Sequence, residues 1–268
     1  MKKWLNAFRL KTLPLAFSSI IMGAAVSYDQ KYFNWLILAL AILTSTFLQI
    51  LSNLANDYGD AISGVDNENR LGPIRAIQSG QVTVQQMKIA VILFSLLSFI
   101  SGISLLVVSF SNITILFLLF LLVGLLAIAA AIKYTIGKNA YGYSGLGDIS
   151  VFVFFGVVGV IGSSYLFNLT IELVIILPAI SIGVFSVGVL NLNNLRDIDN
   201  DAKHGKNTLA VKFGRSWAKN YQYALITTGW LLFVLFLYFS SSSLLGYLPL
   251  LLLPVFIANL RAVKNHTD

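Results

Sequence analysis

The chain has 268 residues, of which 57% are hydrophobic and only 11% charged, with a formal net charge of +7 and no cysteine. That balance lies outside the range of soluble globular domains, and the missing thiols exclude disulfides, thiolate metal sites and cysteine nucleophiles. Because the basic residues are spread over several connections and not gathered on one face, the positive charge does not read as a nucleic-acid footprint.

Apolar runs long enough to cross about 30 Å of hydrocarbon as helices are read at 13–28, 33–56, 84–109, 112–134, 147–166, 170–192, 217–239 and 244–261. The expected fold is all-α, a polytopic helical bundle of eight spans in the lipid bilayer. The first run is not a cleavable signal peptide, since further spans follow at once and no small-residue cleavage site stands out. With the N-terminus in the cytoplasm, 17 of the 18 Lys and Arg residues lie on the cytoplasmic side and only Lys31 on the other. Arg9 and Lys11 are read as part of that charge bias. The long connections, 57–83, 135–146 and 193–216, all fall on the cytoplasmic side, where function is expected.

The second and sixth spans end in acidic segments, NLANDYGDAISGVD (Asn53 to Asp66) and NLNNLRDIDNDAKHG (Asn191 to Gly205). Seven of the eleven acids lie in or beside them: Asp57, Asp60, Asp66 and Glu68 in the first group, Asp197, Asp199 and Asp201 in the second. Carboxylates at the edge of a bilayer are costly unless they bind a cation, so two such groups point to one polyvalent, metal-bridged ligand. Both segments close an even-numbered span, which reads as a repeat of a four-helix unit, about 1–134 and 135–268, within a single transmembrane domain. Residues three or four apart share a helix face, aligning Asn56 with Asp60, Asn53 with Asp57 and Asp197 with Asp201. Mg²⁺ binds through one or two carboxylates plus substrate phosphates, so a diphosphate held from both sides fits. Arg70, Arg75, Lys133, Arg196, Lys203 and Lys206 are placed to take the remaining phosphate charge. No Walker-type motif is present, which argues against a nucleoside triphosphate.

At the start of the fifth span, Asp148 reads either as a helix cap or as a base or hydrogen-bond acceptor for an acceptor hydroxyl. Tyr58, Tyr134, Tyr141 and Tyr143 fall near the cytoplasmic mouth. His204 and His266 have no partner at metal spacing and read as solvated. A secondary transporter is the rival reading from another class, but transporters hold their ions near the midplane, whereas these acids lie at span ends.

The stretches NDYGD and GVDNENRLGPIRAIQSG resemble the first aspartate-rich motif of the UbiA superfamily of intramembrane aromatic prenyltransferases, and NLRDIDNDAKHGKNTLAVKFG resembles the second. AFRLKTLPLAFSSIIMG (Ala7 to Gly23) and KYTIGKNAYGYSGLGDISVFVFFG (Lys133 to Gly156) extend the likeness over nearly the whole chain, and within the superfamily they are most similar to the menaquinone branch. The resemblance implies a transferase using Mg²⁺ as cofactor, moving a polyprenyl group from polyprenyl diphosphate to 1,4-dihydroxy-2-naphthoate with decarboxylation; 4-hydroxybenzoate, homogentisate or a tetrapyrrole are the alternative acceptors. It implies Asn56, Asp60, Asp66, Asp197, Asp199 and Asp201 at the metal. Asp60, Asp201, Lys133 and Asp148 are then expected in catalysis, and Asn53, Asn56, Asp57, Arg70, Arg75, Tyr134, Tyr143, Asn194 and Lys206 against the substrates. The family often carries a further carboxylate where Gly64 stands, so either Asp66 substitutes or the chain bends at Gly64. The resemblance also implies nine helices, so a ninth is expected to follow Lys264 in a longer chain.

Overall fold

The structure, a computed structural model, describes residues 2–29, 33–66, 72–240 and 244–265. Among the described residues eight helical segments are long and apolar enough to cross a membrane: α1 (Lys3–Tyr28), α2 (Trp35–Ile62), α3 (Val84–Ser109), α4 (Ile115–Lys133), α5 (Gly147–Asn168), α6 (Leu173–Arg196), α7 (Arg215–Phe239) and α8 (Leu245–Lys264). These are the eight expected spans, and the chain is a multi-pass membrane protein. Lys31, Glu68, Arg70 and His266, about which the sequence raised expectations, lie outside the described residues.

Polar residues placed just ahead of apolar runs start the helices, because a side-chain oxygen there accepts from otherwise unpaired backbone N–H groups. Asn34 accepts from the N–H groups of Leu36 and Ile37 at the start of α2, and Thr114 does the same for α4 through Phe117. Thr83 and Gln86 form a reciprocal capping box at the start of α3.

Small residues bring α5 close to its neighbours. A Cβ on Gly156 would lie 2.6 Å from the Ala179 carbonyl of α6, and one on Gly23 of α1 would lie 2.1 Å from Ser163 Oγ. Between Phe152 and Gly162 the α5 backbone widens into π-helical turns, a departure that recurs at functional sites. Two buried asparagines tie neighbouring helices together. Asn191 Nδ2 of α6 donates to the Ala218 carbonyl and to Gln222 Oε1 of α7, both at 2.9 Å. Asn53 Nδ2 of α2 donates to the Phe8 carbonyl and Thr12 Oγ1 of α1, also at 2.9 Å.

α1 is broken at Arg9, whose φ of 48° lies in the left-handed region. For a residue other than glycine that conformation is uncommon, and here it turns the chain so that Arg9 faces α2.

Candidate functional site

A cavity of about 980 Å³ runs into the bundle between α1, α2, α3, α4, α5 and α6. One end is polar and bordered by Arg9, Asn56, Asp57, Asp60, Arg75, Asn193, Asn194, Arg196, Asp197, Asp201 and Lys206. Its depth is apolar, with Leu48, Phe99, Phe120, Phe154, Phe155 and Val158 among the wall residues. The two acidic segments therefore meet at one mouth. Asn200 Nδ2 of the second segment donates to the Val65 carbonyl of the first at 3.0 Å, locking one against the other.

Local geometry explains how the first segment is shaped. α2 continues beyond the apolar run to Ile62, carrying Asn53, Asn56, Asp57 and Asp60 on helix. Gly64, with a φ of 76°, ends it, a position where glycine avoids the Cβ penalty of a left-handed residue. The chain bends there, and the Asp66 N–H returns to the Asp60 carbonyl at 3.2 Å. The following loop closes on itself through Ser79 N–H to the Arg75 carbonyl at 2.9 Å and Val82 N–H to the Ala76 carbonyl at 3.1 Å, with Ala76 and Val82 buried. That loop inserts Arg75 among the acids. Its guanidinium reaches Asp57 at 2.5 Å, Asp60 at 3.0 Å and Asp66 at 3.2 Å. Arg9 pairs with Asp57 as well. Burial works against the Arg75 charge, but the neighbouring Asp60, Asp57 and Asp66 outweigh it and leave its pKa raised.

In the second segment each acid has its own basic neighbour. Arg196 forks onto Asp197 at 2.9 and 2.7 Å. Among the described residues Asp201 pairs with Lys206, at 3.6 Å from Oδ1, and its Oδ2 is buried without a hydrogen-bond partner. Burial, reinforced by Asp197 and Asp60 and opposed by Lys206, pushes the Asp201 carboxyl up to about 6. A buried oxygen of this kind needs a partner, and a hard cation meets that need. Among the described residues no group of three or more His, Cys, Asp or Glu side chains closes a metal site alone.

Tyr143 bridges the halves. Its hydroxyl donates to Asp60 Oδ1 at 2.7 Å, Lys206 Nζ lies 5.7 Å from its ring centre, and its carbonyl accepts from Asn207 N–H at 2.9 Å. Burial, then the Asp60 charge, raises the Tyr143 pKa and keeps it a donor. Tyr134 borders the cavity beside two glycines: a Cβ on Gly147 would lie 2.6 Å from its hydroxyl and one on Gly142 would lie 2.8 Å from its ring. The glycines of the YGYSGLGD stretch thus make room for this ring.

Several expected residues sit elsewhere. Asp199 pairs with Arg215, its side chain 78% exposed, and does not border the cavity. Asp66 is held by Arg75 and does not border the cavity. Lys133 is exposed with its Nζ near Gly137, because the last turn of α4 directs it away from the mouth. Asp148 is buried at the start of α5 and does not border the cavity. Asn53 borders the cavity, yet its amide is committed to Phe8 and Thr12, so it fixes the segment bearing Arg9. Tyr58 packs in the core between α2 and α3. His204 is exposed, its ring Nδ1 against the Asn200 carbonyl. Arg196, expected to take phosphate charge, borders the mouth, as do Arg9 and Asn193, which were not expected against the substrates. Neither Arg9 nor Asn193 carried a sequence signal for that place.

Residues 16–268 match the model of the UbiA prenyltransferase family. The chain is 47% identical over 265 residues to a 1,4-dihydroxy-2-naphthoate octaprenyltransferase of Escherichia coli (strain K12), covering 99% of this chain and 86% of that protein. It is 36% identical over 236 residues to the enzyme of the same description from Mycobacterium tuberculosis, covering 88% and 78%. Among solved structures it resembles a UbiA homolog from Archaeoglobus fulgidus bound to DMAPP and Mg²⁺, with a TM-score of 0.68 at 16% identity over 99% of this chain and 88% of the other. The apo UbiA homolog of Aeropyrum pernix K1 superposes with a TM-score of 0.67 at 17% identity, over 96% and 93%.

Proposed function

This chain belongs to the UbiA prenyltransferase family, and we propose that it transfers a polyprenyl group from polyprenyl diphosphate to 1,4-dihydroxy-2-naphthoate, with loss of the ring carboxylate, on the route to menaquinone. The observation that carries this reading is the union of two acidic helix ends at the mouth of a deep apolar cavity. A diphosphate with a long hydrocarbon tail has that polarity pattern. The acceptor follows from the relatives, whose names specify the naphthoate.

In this reading Asp60 and Asp201 hold Mg²⁺, with Asp197, Asn56 and Asn194 at its flanks. Magnesium, when bound, neutralises the diphosphate as it departs. Arg9, Arg196 and Lys206 take up phosphate oxygens that the metal leaves free. Tyr143 holds Asp60 in place and Lys206 does the same for Asp201. The aromatic side chains Phe99, Tyr134, Phe154 and Phe155, all in the cavity wall, exclude water and meet the positive charge that develops on the allylic carbon. The electron-rich naphthoate ring carbon attacks that carbon, and departure of CO₂ restores the aromatic ring, so no strong base is needed for a ring proton.

The excess of Lys and Arg at this end supports a cytoplasmic mouth and N-terminus in the cell membrane. The matched packing of α2 on α3 and of α6 on α7 supports two four-helix repeats, about 1–134 and 135–268. A transporter would need its acids near mid-membrane; here they stand together at one end. The test offers radiolabelled prenyl diphosphate to the purified protein with 1,4-dihydroxy-2-naphthoate, 4-hydroxybenzoate or homogentisate. Label is expected in the naphthoate product alone, and label in another acceptor with none in the naphthoate would overturn the assignment.

A further inference from the structure

Most glycines inside the spans of this bundle serve helix contact. A Cβ on Gly159 would come within 2.7 Å of Ser19 Cβ, one on Gly183 within 2.8 Å of the Phe152 ring, and one on Gly229 within 2.5 Å of the Phe185 ring. Gly102, Gly124 and Gly162 differ. A Cβ on Gly124 would meet nothing within 4 Å, one on Gly102 only the Thr44 methyl at 3.8 Å, and one on Gly162 only Phe120 and Val158 at 3.8 and 3.9 Å. None of the three has a positive φ, so alanine would be the better helix former at each. Neither backbone conformation nor helix packing calls for glycine at these positions. What they share is the cavity, which all three border.

They stand at successive depths. At 1.5 Å per residue, Gly124 lies about 14 Å along α4 from Lys133, Gly162 about 22 Å along α5 from Gly147, and Gly102 about 27 Å along α3 from Val84. On α4 the same face continues with Ala127 and Ala131, both in the cavity wall. A lumen that ended in ordinary core packing would have Leu or Ile here, as the rest of these helices do. The geometry points to Gly102, Gly124 and Gly162 as determinants of donor length: by omitting a side chain, each keeps the lumen open at its own depth for an extended isoprenoid tail. This rests on the prenyl-transfer reading above and adds to it the residues that select the donor.

The test compares the wild type with Gly102→Leu, Gly124→Leu and Gly162→Leu, using dimethylallyl, geranyl and octaprenyl diphosphate with the naphthoate. Gly102→Ala, Gly124→Ala and Gly162→Ala are carried alongside, with thermal unfolding in detergent. The ratio of kcat/KM for octaprenyl to that for dimethylallyl diphosphate is expected to fall about tenfold or more in each leucine variant, the scale of overpacking a filled apolar site. The geranyl donor is expected to suffer more in Gly124→Leu than in Gly102→Leu, since the first blocks the lumen nearer its mouth. The alanine variants are expected to unfold no earlier than the wild type and to shift the ratio in the same direction by less. An equal loss for all donors, an unchanged ratio, or alanine variants that unfold earlier would overturn the proposal. Should leucine variants fail to fold, the alanine ratios decide it in the same way. Absence of transfer by the wild type with any donor would instead sink the functional reading beneath it.

Discussion

Replacing Arg75 with Gln would remove the guanidinium that bridges Asp57, Asp60 and Asp66, whose side chains are 1%, 2% and 1% exposed. Removing one partner of a buried ion pair costs about 3–5 kcal/mol, because the other charge is left uncompensated. Arg9 would still pair with Asp57, and Tyr143 would still donate to Asp60. Those remaining partners put the expected cost at the low end, ~3 kcal/mol. For a domain of this size 1 kcal/mol moves the midpoint by roughly 2–4 °C, so the variant should unfold about 6–12 °C earlier in detergent without divalent cation. Mg²⁺ then has the larger effect on the variant, since it supplies the positive charge that Gln cannot, and at a hundredfold excess over its dissociation constant a ligand contributes about 2.7 kcal/mol. The assay is thermal unfolding of both proteins with and without Mg²⁺. An Arg75→Gln midpoint equal to that of the wild type, with the same response to Mg²⁺, would refute the claim that Arg75 neutralises the first acidic segment.

Asp201→Asn should abolish transfer while changing the pH dependence of stability in a defined direction. Its folded pKa of about 6, above the ordinary 3.8, means the group's contribution of ~3 kcal/mol to the folded state is fully present below pH 4 and is lost as pH rises through about 6. Unfolding midpoints measured from pH 4 to pH 8 should show that decline in the wild type and lack it in the variant. Mg²⁺ affinity of the wild type, by titration calorimetry, should weaken below pH 6, where a proton competes for the same carboxylate. Tyr143→Phe should lower kcat/KM about tenfold, the equivalent of ~1.5 kcal/mol for a hydrogen bond to a charged acceptor; unchanged kinetics would remove Tyr143 from the site. Asp199→Asn and Lys133→Ala should leave kinetics within about twofold, because both side chains face away from the cavity and surface substitutions of this kind are near neutral.

The spans were legible because hydrocarbon thickness leaves a chain few choices, and the acidic segments that hold Asp60 and Asp201 stood out because each follows a long apolar run. What the sequence could not show was how charge is shared at close range. Asp66 read as a metal ligand, and its neighbours in sequence carried no sign that the bend at Gly64 and the self-bonded loop from Pro73 to Val82 bring the Arg75 guanidinium to 3.2 Å from it. Asp199 belongs to the same acidic run as Asp197 and Asp201, yet the helix Ile198–Lys203 turns it outward to Arg215. Arg9 read as a topology charge because nothing in its neighbours announces a left-handed break in α1. Asn53 and Asn191 looked like parts of a binding motif, but they are the buried clamps that set helix spacing behind it. Lys133 was expected in catalysis, and Asp148 there or as a helix cap; the first is exposed and the second is buried away from the cavity lining.

The central claim is that the two acidic segments act as one magnesium-dependent diphosphate site. Calorimetric titration of geranyl diphosphate into the purified wild type, Asp60→Asn and Asp201→Asn, each with Mg²⁺ and with EDTA, tests it most directly. The account predicts binding by the wild type with Mg²⁺ only and loss of at least about tenfold in affinity in both variants, the cost of removing one member of a charged cluster. Tight binding in EDTA, or an affinity unaffected by one of the two substitutions, would contradict it.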